Sequence, residues 1–411
     1  MIGKEKRIKT SLKVYPFYYG LSADLMFWAA INTLFLTVVK KFSAQEVNSL
    51  VSFSILISIV GYFIILKLIK KIGELNAVKI GNVMLLLSSV FITFLKTYNG
   101  VLLGLTLYEI AFIFKSMDHV ILRKNLESLN EKEKFFNYET KGTLIYSIIT
   151  MVISFVSGFI FNINNYLPMY ICIFFCILNC IISGFLYCPK EDYKLKKQEN
   201  NKIKFNKTII FILLFYLLIY SVIENSQTNT QLILQYNMQD FLNEKNVALI
   251  LSFIVFISRI IRTLSNMAFN KIYNKVKNNL SIILNVLLIV SLCLILLGDF
   301  IRNGFIGIVI VSLGFFILLL LRDPTENYGR TILFDNTPRT FHDKLSLYYS
   351  LSRKIGKLFI SFMISIILLD LDIKYVFVFL LVIAVITLHI TSNIVKLLKK
   401  SKSTLKTNLR I

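Results

Sequence analysis

The sequence predicts an all-α polytopic membrane protein, with twelve transmembrane helices arranged as two pseudo-repeated six-helix halves. Three observations predict it. Of the 411 residues 56% are hydrophobic, and apolar runs near membrane-span length recur from end to end. The basic residues gather on one side of those runs. Short stretches of the first half also reappear about 200 residues later.

A helix needs about 20 mostly apolar residues to cross roughly 30 Å of hydrocarbon. Runs of that kind lie at 14–38, 50–69, 80–96, 99–118, 143–161, 167–188, 208–236, 247–269, 281–298, 304–321, 355–371 and 374–395. In lipid every backbone N–H and C=O needs an internal partner, which makes such segments helices. A transmembrane barrel would instead show short strands of alternating polarity.

The chain carries 46 Lys and Arg against 23 acidic residues. With the termini and alternate loops assigned to one side, that side holds 40 of the 46 and the other holds 6. The positive-inside rule then places both termini in the cytoplasm. The same distribution argues against nucleic acid as a partner, because no basic stretch accompanies a reader motif. The opening "MIGKEKRIKTSLKVYP" runs into the first span without a small-residue cleavage site, so that span is expected to act as its own insertion signal. Cys172, Cys176 and Cys180 recur every four residues on one helical face and read as small apolar packers. No metal or cofactor is expected.

The segment "CPKEDYKLKKQENNKIKFNK" (188–207) is polar, basic and without apolar periodicity. It divides the chain into an N-terminal six-helix half at 1–188, a basic cytoplasmic linker at 189–207 and a C-terminal six-helix half at 208–411. At an offset of 200, "VNSLVSFSILIS" (47–58) faces "VALILSFIVFIS" (247–258). After three extra residues "IGNVMLL" (80–86) faces "ILNVLLI" (283–289). Duplication accounts for these matches, for the equal span counts and for the central linker.

With six plus six spans, both termini inside, a basic central loop and a basic turn after the second span, the chain resembles the major facilitator superfamily over nearly its whole length. The turn "LKLIKKIGELNAVKIG" is similar to the superfamily's signature in that loop: Lys71 and Gly73 match its basic residue and second glycine. Leu66 stands in place of the first glycine, Lys70 in place of the aspartate and Glu74 in place of a further basic residue. The resemblance implies a secondary active transporter that moves a small solute by alternating access between two halves, with spans 1, 4, 7 and 10 lining a central cavity.

Candidate site residues follow from polar groups within the apolar runs. In "ENSQTNTQ" (224–231), Glu224, Gln227 and Gln231 share a helical face. Asp24, Trp28 and Asn32 do likewise in the first span, and Asp24 lies 200 residues before Glu224. Intramembrane ionisable groups usually face a bundle interior or wet cavity. The alternative is that span 7 ends early and 226–231 form an external loop. Arg259 falls near the midplane of span 8, where Asp24 or Glu224 are its expected partners, and it serves either ion pairing or anion binding. Glu109 is central in span 4; Lys115 and Asp118 are expected to pair locally or snorkel.

These residues fit a proton-coupled carrier, because desolvation favours a protonated carboxylate. The solute is expected to be small and polar or amphiphilic, the protein to work as a monomer in the lipid bilayer, and the Ile-, Lys- and Asn-rich composition to point to a bacterial plasma membrane. An ATP-driven pump is excluded by the absence of a Gly-x4-Gly-Lys-Ser/Thr loop, and a zinc protease by the absence of His-Glu-x2-His. The alternatives are a non-transporting receptor or assembly factor, or a polytopic membrane enzyme. "RDPTENYGRTILFDNTPRTFHDK" (322–344) is the one loop with the mixed charges and histidine such an enzyme would use, and it reads as a cytoplasmic connector.

Overall fold

The computed structural model describes residues 2–189, 207–276, 279–301, 304–335, 337 and 342–408, and the expected linker lies outside them except for its end residues. Every regular element among the described residues is helical. In chain order these are α1 Ile2–Ser22, α2 Trp28–Leu34, α3 Ala44–Ile72, α4 Glu74–Phe94, α5 Tyr98–Lys115, α6 Asp118–Ser128, α7 Phe135–Ile163 and α8 Leu167–Ser183. They continue with α9 Lys207–Phe215, α10 Ser221–Gln239, α11 Glu244–Val276, α12 Leu280–Ile301, α13 Gly304–Asp335, α14 His342–Asp370 and α15 Ile373–Asn408. π-Helical turns at Phe35–Val39 and Tyr216–Tyr220 extend α2 and join α9 to α10.

Among the described residues nine helices are long and apolar enough to cross a membrane. Their outer faces carry large apolar side chains that a water-soluble surface would not present together. Val60 and Ile64 on α3 are each 69% exposed, Ile163 on α7 76% and Phe305 on α13 75%. The protein is a multi-pass membrane protein. Three expected spans fall outside the nine. Span 6 is the 17-residue α8. Span 11 lies on α14, where Arg353, Lys354 and Lys357 interrupt the apolar run. Span 1 is broken.

The break is a correction to the sequence reading. Helix α1 ends at Ser22, residues Ala23–Phe27 leave the helix, and α2 restarts at Trp28. Asp24 therefore shares no continuous helical face with Trp28 and Asn32. Its carboxylate accepts the Leu25 N–H at 2.7 Å, a local bond that competes with the helical ladder. Two carbonyls at the broken end find side chains instead: Asn179 Nδ2 donates to Leu21 O at 2.8 Å, and Lys115 Nζ donates to Ser22 O. That satisfies backbone which lipid could not.

A second correction concerns 322–344. Helix α13 continues through Pro324 to Asp335, so the first part of the expected connector is helical, within a candidate span of Gly304–Phe334. The choice left open at Glu224–Gln231 is also decided. Those residues belong to helix α10, inside the candidate span Lys207–Gln239, and do not form an external loop.

The chain folds into two compact units, one of Met1–Glu199 with Ala248–Phe256, the other of Asn200–Val247 with Ile257–Ile411. In the first, α4 packs on α5 and α8, and α1 on α7; in the second, α12 packs on α13 and α15, and α10 on α13 and α14. Each half of the sequence also holds a serine bonded back to the i−4 carbonyl and a glycine at a close helix contact. Ser52 Oγ donates to Asn48 O at 2.9 Å, and Ser252 Oγ to Ala248 O at 2.7 Å, the same i−4 bond. A Cβ on Gly104 would meet Ile92 Cγ1 at 2.8 Å and Ser88 O; one on Gly314 would meet Ile295 Cγ1 at 2.7 Å and Ser291 O. Each glycine lets two helix backbones approach closely.

Candidate functional site

Among the described residues, a buried polar cluster lies in the second unit, where α10, α13 and α14 meet. Its centre is Glu224, whose side chain is 5% exposed. Arg353 of α14 donates to it through Nη2 at 2.5 Å and Nε at 3.3 Å. Arg322 of α13 places Nη2 3.5 Å from the same carboxylate and donates from Nη1 to Gln227 Oε1 at 2.6 Å. Two guanidiniums from different helices thus share one buried carboxylate, a charge-assisted arrangement stronger than neutral hydrogen bonds.

Local structure brings these groups together. The π-helical turn Tyr216–Tyr220 ends one turn before Glu224, and such turns recur at functional sites because they re-aim the residues that follow. Gly356 of α14 faces this turn. A Cβ there would collide with Leu217 O and Ser221 Oγ, so only glycine admits so close an approach three residues beyond Arg353. Tyrosines pack beside the cluster. The Arg353 guanidinium lies 4.7 Å from the Tyr220 ring centroid, a cation–π contact. Tyr220 Oη donates to Glu326 Oε2 at 3.0 Å, Tyr349 Oη donates to Glu326 O at 2.8 Å, and Tyr216 stacks on Tyr349 with centroids 3.6 Å apart. Beside Arg322 on α13, Asp323 receives Arg262 through Nε at 2.9 and 3.0 Å and through Nη2 at 2.8 Å.

The first unit has a smaller polar centre at the broken helix. Tyr108 Oη of α5 donates to Asp24 Oδ1 at 2.6 Å. Lys115, 3% exposed, holds Ser22 O and lies 4.9 Å from the Phe112 ring centroid. It is thus buried beneath the break and does not snorkel to the interface, one of the two outcomes expected from its position near the end of span 4. At the start of α4, Glu74 accepts from Lys124 of α6 at 2.6 Å. The acid that departs from the loop signature therefore has a cation of its own.

Similarity to solved structures covers almost the whole chain. The nucleoside transporter NupG matches with a TM-score of 0.72 at 12% identity, over 94% of this chain and 98% of that one. A bacterial homologue of the iron transporter ferroportin, in its inward-facing state, matches at 0.69 and 14%, over 95% and 98%. The POT family transporter PepTSo matches at 0.67 and 11%, over 95% and 98%. The chain has the major facilitator fold. No protein-family model matches the sequence, and no curated protein matches it. At these identities the likeness establishes the fold alone.

On this fold the expected site residues separate into two groups. Glu224, Gln227 and Gln231 lie together on α10, with Glu224 and Gln231 buried and Gln227 half-buried. Arg259 of α11 is buried too, at 6% exposure, and bears electrostatically on Asp323. The cations that meet Glu224 are Arg353 and Arg322, neither of which the sequence reading singled out. In the first unit Asp24 is joined to α5 through Tyr108, the neighbour of the half-buried Glu109. Trp28 is buried and packs edge-on against Phe35, with centroids 6.3 Å apart, while Asn32 Oδ1 accepts the Thr33 N–H at 2.7 Å. Those two contacts are local and apolar or backbone-directed. A signal for Arg322 was present: it directly follows the run "FFILLLL".

Proposed function

We propose that the protein is a secondary active transporter that carries a small polar or amphiphilic solute by alternating access between its two halves. It works as a monomer in a bacterial plasma membrane, with both termini cytoplasmic, and protons drive it. The observation that carries this reading is Glu224: a carboxylate buried inside a candidate span, met by guanidiniums from two other helices. A purely structural helix contact would be made more stably by apolar side chains of similar volume. Retaining three charges there favours a site whose pairing changes during work.

Protonation of Glu224 and its pairing with Arg353 and Arg322 exclude one another, because a neutral carboxyl forfeits the charge attraction. Proton arrival therefore loosens the junction of α10, α13 and α14, and proton departure tightens it. Such a two-state junction is what coupling requires. The fold supports the carrier reading: its neighbours are described as transporters of nucleosides, iron and, for the POT protein, as a transporter of that family. Their differing solutes leave the choice of solute to the side chains of this chain. The test is uptake by proteoliposomes from a mixed pool of metabolites, read by mass spectrometry. Accumulation of a solute above protein-free vesicles, abolished by Glu224→Ala, is expected. Folded, correctly inserted protein that moves nothing from a broad pool would contradict the proposal.

A further inference from the structure

The charges around Glu224 do not balance. Asp323 is served by Arg262 at 2.8 Å and lies within the field of Arg259. Glu326 is served by Arg330 at 3.3 Å. Glu224 faces Arg322, Arg353 and, one turn further along α14, Lys357, while Asp323 also bears on Arg322 and Glu326 on Arg353, so three carboxylates stand among six cations. Among the described residues the junction thus carries an excess of positive charge in a setting that disfavours any unneutralised ion. The hydrogen bonding is incomplete as well: Arg322 Nε is buried and makes no hydrogen bond, although Arg322 Nη1 and Nη2 both have partners. A guanidinium offers five donors in a planar fork suited to an oxyanion.

We infer that the junction of α10, α13 and α14 binds a solute carrying a compact oxyanion, a carboxylate or a phosphate, which Arg322 and Arg353 hold in competition with Glu224. The inference deepens the transporter reading and rests on it for its consequence, namely that the carried solute is an organic anion. The competition follows from geometry. Both guanidiniums already converge on one carboxylate, so a solute oxyanion takes the same donors by displacing or sharing with Glu224. Tyr220 lies against Arg353, and the stacked Tyr216 and Tyr349 pack next to it, which fixes the guanidinium in place.

Binding is tested without flux, on the full chain purified in detergent, by thermal stabilisation at constant ionic strength set with chloride. The probes are benzoate and malate for carboxylates, inorganic phosphate and glycerol 3-phosphate for phosphates, and choline and glucose as cationic and neutral controls. One anionic class is expected to stabilise the protein by several degrees, and the active class names the oxyanion. Arg322→Gln should weaken that response at least tenfold, whereas Lys9→Gln, exposed near the start of α1, should leave it unchanged. Glu224→Gln should bind the same anion more tightly, because the competitor is removed. That sign is one that general structural damage does not produce, and it remains readable if Arg322→Gln fails to fold. Weaker or unchanged anion affinity in Glu224→Gln would overturn the inference, as would a preference for choline or glucose. Stabilisation by phosphatidylglycerol with no response to any soluble anion would assign the site to a lipid headgroup and also overturn it. Anion binding with this pattern but no transport would leave the inference standing and refute the proposed function instead.

Discussion

Replacing Glu224 by glutamine keeps its shape and removes its charge, and the consequence for stability is readable from the structure. Glu224 Oε1 lies 2.5 Å from Arg353 Nη2 and 3.5 Å from Arg322 Nη2. Two unit charges about 4 Å apart attract by about 4 kcal/mol at the effective permittivity near 20 that suits protein sites. Removing one partner of a fully buried pair costs about 3–5 kcal/mol, because the other charge is stranded. The arginine side chains are 34% and 18% exposed, so solvent recovers part of that cost. A loss of about 2–4 kcal/mol is therefore expected. At roughly 2–4 °C per kcal/mol for a unit of 150–250 residues, the melting temperature falls by about 5–15 °C. The assay is thermal unfolding of detergent-purified protein in buffer free of carboxylate and phosphate. Combining Glu224→Gln with Arg353→Met should recover part of the loss, with a coupling of about 1–3 kcal/mol in the double-mutant cycle. A Glu224→Gln protein that melts within 1 °C of the parent (roughly the resolution at which 0.5 kcal/mol is seen) would refute the reasoning, as would strictly additive damage.

Three further outcomes are expected. Gly356→Val sets a branched side chain against Leu217 O and Ser221 Oγ, so it should destabilise by about 1–3 kcal/mol and also abolish anion-induced stabilisation, measured in the same melting assay. Gln227→Ala removes the neutral acceptor of Arg322, and together with Gln231→Ala should weaken solute affinity about tenfold in titration while expression stays near normal; a matched fall in folded yield with unchanged affinity would mark both residues as structural. Cysteines introduced at Ser401 and Lys197, in a chain stripped of Cys172, Cys176, Cys180, Cys188 and Cys293, should resist an impermeant thiol reagent on intact cells, since the positive-inside rule predicts both positions on the cytoplasmic side; labelling of either from outside would overturn the proposed orientation.

Much of the fold is legible in the sequence because lipid imposes one rule everywhere: a backbone without water must close its hydrogen bonds within a helix. Apolar length thus located most of the helices. The break in the first span was not legible. No glycine or proline marks residues 23–27, and the helix ends through bonds that depend on tertiary neighbours, Asn179 and Lys115 at the freed carbonyls and Tyr108 on Asp24. The extent of α13 was hidden by Pro324, which ordinarily argues for a helix end because it lacks an N–H donor.

The candidate site divides in the same manner. Glu224, Gln227 and Gln231 were legible because polar groups stand out in an apolar run. Arg322 and Arg353 were not, because basic residues near span ends usually serve orientation and carry no further signal. Only the packing of α13 and α14 on α10 turns them inward as partners of one carboxylate. The loop-signature residue Glu74 shows the same limit, since its partner Lys124 lies fifty residues away on α6.

Glu224 as the proton-coupling group of a carrier is tested most directly by comparing driven uptake with exchange in one variant. Wild-type protein and Glu224→Gln are reconstituted in proteoliposomes, and movement of a radiolabelled solute that binds the purified protein is followed with and without an imposed pH gradient. The account predicts that the wild type accumulates solute when the gradient is applied, and that Glu224→Gln loses this accumulation while still exchanging solute between equal internal and external pools. Gradient-driven accumulation by Glu224→Gln at the wild-type rate would contradict it.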